Sequence, residues 1–211
     1  MTVQRLILIR HGEAEHLVGN ITGGWTDTRL TPLGIRQARR TGKALSELLP
    51  GGSFQILSSD LLRARQTAER IGQVVGVTPL ITANLREISN GAAANRTRDE
   101  ARAMFQPFSQ PRMDWQPYPG AETWRSFLAR LLPFLEGLSD SPPTAVLVTH
   151  ANVLSAAVQW WLQMTAEQMD HTQFYFDPCS ITDLRLTSHG FKMVHSLNNT
   201  AHLAKIKNST P

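Results

Sequence analysis

The chain has 211 residues, 41% of them hydrophobic, with 21 basic and 17 acidic side chains and a net charge of +4. That length suits one α/β domain with a sizeable core, and the charge is too small and dispersed, despite a pI of about 9.7, to imply nucleic acid; a local anion site is a better use for the excess arginine. Cys179 is the one cysteine, which excludes an intrachain disulfide and a cysteine-rich metal site, and with neither a basic leader nor an apolar stretch long enough for a bilayer (153–164 is short and carries Gln159 and Gln163), the expectation is a cytoplasmic protein without a membrane partner.

In chain order, the first predicted element is a buried strand from Arg5 to Ile9, running directly into Arg10 and His11. Thr31 and Pro32 have the character of a cap and first-turn residue, opening a helix with Ile35, Ala38, Leu45 and Leu48 on one face. The second strand is Phe54 to Leu57. Ser59 is placed to cap the following helix, whose buried stripe is Ala64, Ala68, Ile71 and Val75 and whose stop is Gly76. Thr78 to Thr82 is the third strand, expected to be buried like the others.

From Asn90 to Tyr118 the strand signal vanishes. Thr97 to Glu100 fits a capping box and prolines stand at 107, 111, 117 and 119, so about 90–120 is expected to be a cap-like insertion. Trp124 to Leu138 has a broad apolar face, with Pro133 expected to kink or interrupt the helix. Ala145 to Val148 is the fourth strand and runs into Thr149 and His150; Val153, Leu154, Ala157, Trp161 and Met164 then mark another helix. Ile181 to Leu186 and Lys192 to Leu197, joined by Ser188, His189 and Gly190, form an antiparallel hairpin at the sheet edge. The alternation predicts a single α/β domain over 1–211, with a mostly parallel central sheet and helices on both faces.

Ligands of open α/β sheets bind beyond the carboxyl ends of the strands. Those ends carry Arg10 and His11, then Ser58 to Arg63, then Arg86 and Glu87, then His150. Two histidines, several arginines and one carboxylate suit phosphoryl transfer through a phosphohistidine: a neutral imidazole attacks phosphorus and splits one difficult step into two. His11 is the candidate nucleophile. Arg10, Arg63 and a protonated His150 would stabilise the phosphoryl oxygens, and Glu87, with Glu13 as a weaker choice, would protonate the leaving group and then deprotonate water.

These residues lie in segments that resemble the histidine phosphatase superfamily, in the branch of cofactor-dependent phosphoglycerate mutase. The resemblance runs through LILIRHGEAE near the start, GWTDTRLTPLGIRQA at Gly24 to Ala38, SSDLLRARQTAE at Ser58 to Glu69, LREI at Leu85 to Ile88 and VLVTHANV before and after His150. PGAET and LNNTAHL support it. It implies His11 as the phosphorylated residue, Arg10, Arg63 and His150 as the phosphate pocket, Glu87 as proton donor, an inserted cap, and no metal or other cofactor. The backbone of Ala151, where relatives have glycine, remains available for phosphate.

There are departures. Relatives place an asparagine six residues after the nucleophile, where this chain has Leu17; Asn20 or Asn152 is a candidate replacement. Ala14 stands where serine is usual. SNGAAANRTRDE lacks the glutamate-arginine-histidine-tyrosine-glycine segment that mutases use, which favours a metal-independent phosphatase of small phosphomonoesters over a mutase. A noncatalytic phosphate- or protein-binding member of the fold is a further alternative. Gly23, Arg86 and Arg96 are additional substrate-binding candidates. The arginines at 96, 98, 102 and 112 make either a second anion site or a solvated face, and Phe105, Phe108, Trp115 and Tyr118 either a lid or cap packing. His16, His171, His189 and His195 have no partner pattern and are expected at surface or satisfied positions, whereas His202 and Asp27 are expected to be structural. The expected partner is a small phosphorylated metabolite, and a homodimer is the assembly considered.

Overall fold

The computed structural model describes residues 3–138 and 143–204; the ends of the expected 1–211 domain therefore lie outside the described residues. A six-stranded sheet organises the chain: β1 (Arg5–Arg10), β2 (Phe54–Ser59), β3 (Leu80–Thr82), β4 (Thr144–Thr149), β5 (Ile181–Leu186) and β6 (Lys192–Asn199). Their spatial order is β3-β2-β4-β1-β5-β6. The first four of these run parallel, and β5 and β6 add the antiparallel edge hairpin.

The helices are α1 (Glu15–Val18), α2 (Pro32–Leu48), α3 (Leu62–Val75), α4 (Arg98–Ala103), α5 (Trp124–Gly137), α6 (Ala151–Trp161) and α7 (Ala166–His171). Successive strand residues point to opposite faces, so a strand covered on both sides needs apolar residues at every position. In β1, Leu6 and Leu8 pack into a core with Leu147, Phe127, Leu131 and Trp161, while Ile7 and Ile9 pack with Val146, Leu45, Ala68 and Ile71. Thus α5 and α6 cover one face and α2 and α3 the other.

Local chemistry sets most of the helix ends. Thr31 accepts a hydrogen bond from Gly34 N–H, with Pro32 in the first turn of α2. Gly76 closes α3 in the left-handed region at φ 74°, where a side chain is penalised. Thr97 and Glu100 form the reciprocal capping box of α4.

Three expectations are corrected. β3 is short and exposed at the sheet edge, with Leu80 57% and Ile81 45% accessible; among the described residues no strand pairs with its outer side, so the buried-strand reading fails there. Pro133 does not interrupt α5: it stands on the exposed face, while Leu131 and Leu135 remain fully buried. Ser59 accepts from Leu61 N–H, but the first residue of α3 is held from a distant loop, with Leu62 N–H donating to Asp27 Oδ1 at 2.6 Å.

Candidate active site

β1 and β4 are adjacent and parallel, with Arg10 opposite Thr149. The residues that follow them must therefore emerge side by side, and His11 N–H donates to Thr149 O at 2.8 Å. The rings of His11 and His150 have centroids 5.2 Å apart. Beside them opens a cavity of about 340 Å³ whose wall includes Arg10, His11, Arg63, Glu87 and Ala151.

Hydrogen bonding fixes how the His11 ring is used. Nδ1 lies 2.8 Å from Gly12 O, an acceptor without a proton, and Nε2 receives Arg63 Nε–H at 3.3 Å. Nδ1 thus carries the proton and Nε2 the lone pair. Burial, then Arg63 and Arg10, push the His11 pKa well below its ordinary value, which keeps the imidazole neutral and nucleophilic at neutral pH.

Arg63 is buried and pinned, donating from Nη1 to Thr26 O at 2.8 Å and from Nη2 to Gly24 O at 2.7 Å. Burial lowers its pKa to about 10 against the opposing pull of Glu87 and Asp27, so it stays cationic. Arg10 donates from Nη1 to Phe176 O at 2.6 Å, and its buried Nε has no partner among the described residues. A donor buried without an acceptor is costly, and a phosphoryl oxygen would relieve that cost.

Glu87 is held in the cavity wall by two backbone donors, Ile88 N–H to Oε1 at 2.9 Å and Asn152 N–H to Oε2 at 3.3 Å. Its main chain is fixed too: Glu87 O accepts from Trp25 Nε1 at 2.7 Å and Arg130 Nη2 at 3.3 Å. Burial raises the carboxyl pKa, opposed by those backbone donors and by Arg63 and Arg10. A carboxyl that retains its proton above the ordinary range is suited to donate it.

His150 departs from the expectation in its charge. It is fully buried beside His11, its Nε2 lies 2.9 Å from Ser59 Oγ, and its Nδ1 has no partner among the described residues. Burial and the neighbouring Arg63 and His11 push its pKa well down, so in the protein alone it is neutral, not protonated. Ala151 begins α6 beside the cavity, where a helix leaves backbone donors unpaired.

Of the additional candidates, Gly23 and Asn152 border the cavity. Asn20, Arg86 and Arg96 do not, because nearby carboxylates or amides hold them elsewhere. Arg86 forms a forked pair with Asp60 at 2.6–3.1 Å and stacks on Trp25. Arg96 is exposed, 3.9 Å from Glu100, and Asn20 donates to Asp99 while accepting from Arg98 N–H. Ser89, Asn90, Pro117 and Tyr118 border the cavity, and Phe105 and Phe108 each pack edge-on against Trp115. His202 makes structural contacts, its Nε2 within 3.1 Å of Thr41 Oγ1 and Cys179 O. His16 is the member that sequence reasoning placed away from the site: it is buried on the cavity wall, and its partner Thr28 carries no periodic signal.

A model of the histidine phosphatase superfamily (branch 1) matches residues 6–200. The chain belongs to this superfamily. A 2,3-bisphosphoglycerate-dependent phosphoglycerate mutase of Rhizobium meliloti (strain 1021) is 32% identical, with 94% of this chain and 92% of the relative covered. Among solved structures, a mycobacterial glucosyl-3-phosphoglycerate phosphatase in complex with VO3 superposes with a TM-score of 0.77 and 26% identity, over 93% of this chain and 100% of that one. A putative alpha-ribazole-5'-P phosphatase from Escherichia coli str. K-12 gives 0.76 and 27%, over 94% and 97%. The superfamily match supports enzymatic activity, and the named relatives divide between mutase and phosphatase. No helix of the described residues is long and apolar enough to cross a membrane, and no group of three or more His, Cys, Asp or Glu among them is arranged to hold a metal ion.

Proposed function

We propose that the protein is a phosphatase that hydrolyses a small phosphomonoester through a phosphohistidine on His11. The observation that carries the reading is one cavity holding a neutral imidazole with its Nε2 lone pair directed to Arg63 and a buried carboxyl of raised pKa. His11 Nε2 forms a bond to phosphorus as the ester oxygen departs with the bonding pair, taking a proton from Glu87. Water then gives a proton back to Glu87 and attacks phosphorus, releasing inorganic phosphate and restoring His11. Arg10 and Arg63, with Ala151 N–H and His150, bind the equatorial oxygens, on which charge is concentrated in transit.

Mutase chemistry is the second reading, favoured by the 32% identical relative. It shares the first step but returns the phosphoryl group to another substrate oxygen. The insertion argues for hydrolysis. Its cavity-bordering side chains are the uncharged Asn90, Pro117 and Tyr118, whereas Arg96 and Arg98 are turned to Glu100 and to His16 O and Arg112 lies over Trp124 in an adjoining pocket. With Arg10 and Arg63 assigned to the phosphoryl group, the insertion's side of the wall has no cation to hold the carboxylate of a phosphoglycerate. The stretch 90–120 acts in this reading as the cap over the leaving group.

The test is phosphate release from a panel of phosphorylated metabolites and an aryl phosphate, with a parallel assay for interconversion of the monophosphoglycerates in the presence of 2,3-bisphosphoglycerate. Hydrolysis with formation of an acid-labile phosphoprotein, both lost in His11→Ala, is expected. Turnover unchanged in His11→Ala rules out the mechanism, and interconversion without net phosphate release selects the mutase.

A further inference from the structure

His16 has no part in the chemistry just described, yet its placement is specific. The residue is 7% exposed and forms part of the cavity wall, with its ring centroid 5.5 Å from that of His11. One edge is anchored, Nδ1 lying 2.8 Å from Thr28 Oγ1. The opposite edge borders Gly23, where an added Cβ would stand 3.2 Å from Cδ2 and 3.5 Å from Nε2. With glycine there, that edge is left open to the cavity. The main chain is anchored as well, Arg98 Nη2 donating to His16 O at 2.9 Å.

We infer that His16 is a ligand of the transferring phosphoryl group, donating a hydrogen bond from Nε2 and supplying the contact that Leu17 cannot make. The inference rests on the phosphohistidine reading above. In the short helix α1 the side chain that reaches the cavity is that of position 16, and Leu17 is not on its wall. The tautomer follows from the partners. A threonine hydroxyl donates or accepts, and an anionic oxygen at Nε2 selects the form in which Thr28 donates to Nδ1 and Nε2 carries the proton. Burial, reinforced by Arg63, Arg10 and Arg98, lowers the pKa of this ring to about 3, so the ring is a neutral donor at neutral pH. It therefore binds oxygen without adding a third positive charge beside Arg10 and Arg63.

The probe is inorganic phosphate, measured by calorimetry and as a competitive inhibitor of aryl phosphate turnover. A hydrogen bond to a charged acceptor predicts that His16→Phe weakens phosphate binding about tenfold or more, that His16→Gln recovers part of the loss, and that Leu17→Ala stays within about twofold. In isotope-labelled wild-type protein, the His16 ring signals, identified by their loss in His16→Gln, should shift on phosphate addition and report Nε2 protonated. These spectra decide the matter even if His16→Phe does not fold. Unchanged phosphate affinity in a folded His16→Phe, or His16 ring signals unmoved at saturating phosphate, overturns the inference. Phosphate binding that depends on His16 in a protein with no turnover would sink the hydrolase reading and leave this one standing.

Discussion

Arg63 donates from Nε to Nε2 of His11 across 3.3 Å while its two terminal nitrogens are bound to the carbonyls of Gly24 and Thr26. The proposed nucleophile and a proposed phosphate ligand are therefore aligned by one rigid fork, set by a loop nearly forty residues earlier. Lysine would keep the charge but reach at most part of this pattern. Arg63→Lys should lower kcat/KM for an aryl phosphate roughly a hundredfold, while Arg65→Lys, on the exposed side of α3, should leave it unchanged. Steady-state kinetics check this, and a wild-type rate in Arg63→Lys would remove the alignment argument.

Glu87 offers a test by leaving group. If it protonates the departing oxygen, Glu87→Gln should depress turnover of alkyl phosphates more than that of aryl phosphates, whose leaving groups need less help. Its raised pKa keeps the acid form present above the ordinary value of 4.5, so activity should fall as pH rises through the shifted value. That basic limb should disappear in Glu87→Gln. Equal losses for both substrate types would count against the acid role.

Acid sensitivity of the fold follows from the histidines. His11 and His150 are held well below 6.5 and His16 at about 3, so the unfolded chain takes up protons near pH 6.5 that the folded chain refuses. The stability associated with these depressed values is complete above about pH 6.5 and declines as pH falls towards the folded values. Glu87, with a raised value, acts in the opposite sense, its contribution being lost as pH rises through its folded pKa. Melting temperatures should fall between pH 7 and pH 5, less steeply in His16→Gln. Parallel curves for the two proteins would show that the His16 ring is not responsible.

A backbone contact behind His11 is as demanding as the side chains. A Cβ on Gly34 would collide with Glu13 O, and one on Gly12 would stand 2.7 Å from Gly34 O. Helix α2 thus packs directly on the turn that carries His11. Gly34→Ala should destabilise the protein by about 1–3 kcal/mol, the usual range for overpacking, and lower kcat through displacement of that turn. Denaturant melts together with kinetics on the folded fraction measure both effects. An unaltered melt would mean that the turn yields without cost.

Strands with two covered faces were legible because continuous apolar runs such as Leu6 to Ile9 have no other economical use. Three of the four parallel strands met that condition, but β3 lies at the edge, where composition does not report burial. The same limit applies to capping: Ser59 has the right type and position, yet the distant Asp27 takes Leu62 N–H. Arg86, Arg96 and Asn20 are chemically suited to phosphate or its substrate. Asp60, Glu100 and Asp99 lie close enough to engage them first.

By itself the sequence determined the alternation of strand and helix, the ends at which His11, Arg63, Glu87 and His150 emerge, and the superfamily motifs that join them. These are properties of local periodicity and residue order. Tertiary packing was needed to establish which ring nitrogen of His11 holds the lone pair, that His150 is buried and neutral beside it, and that His16 rather than Leu17 reaches the cavity. Each depends on partners from other segments (Arg63, Ser59, Thr28) and on the loss of water around the ring. Hydrogen bonding and desolvation are set by what folding brings together in space.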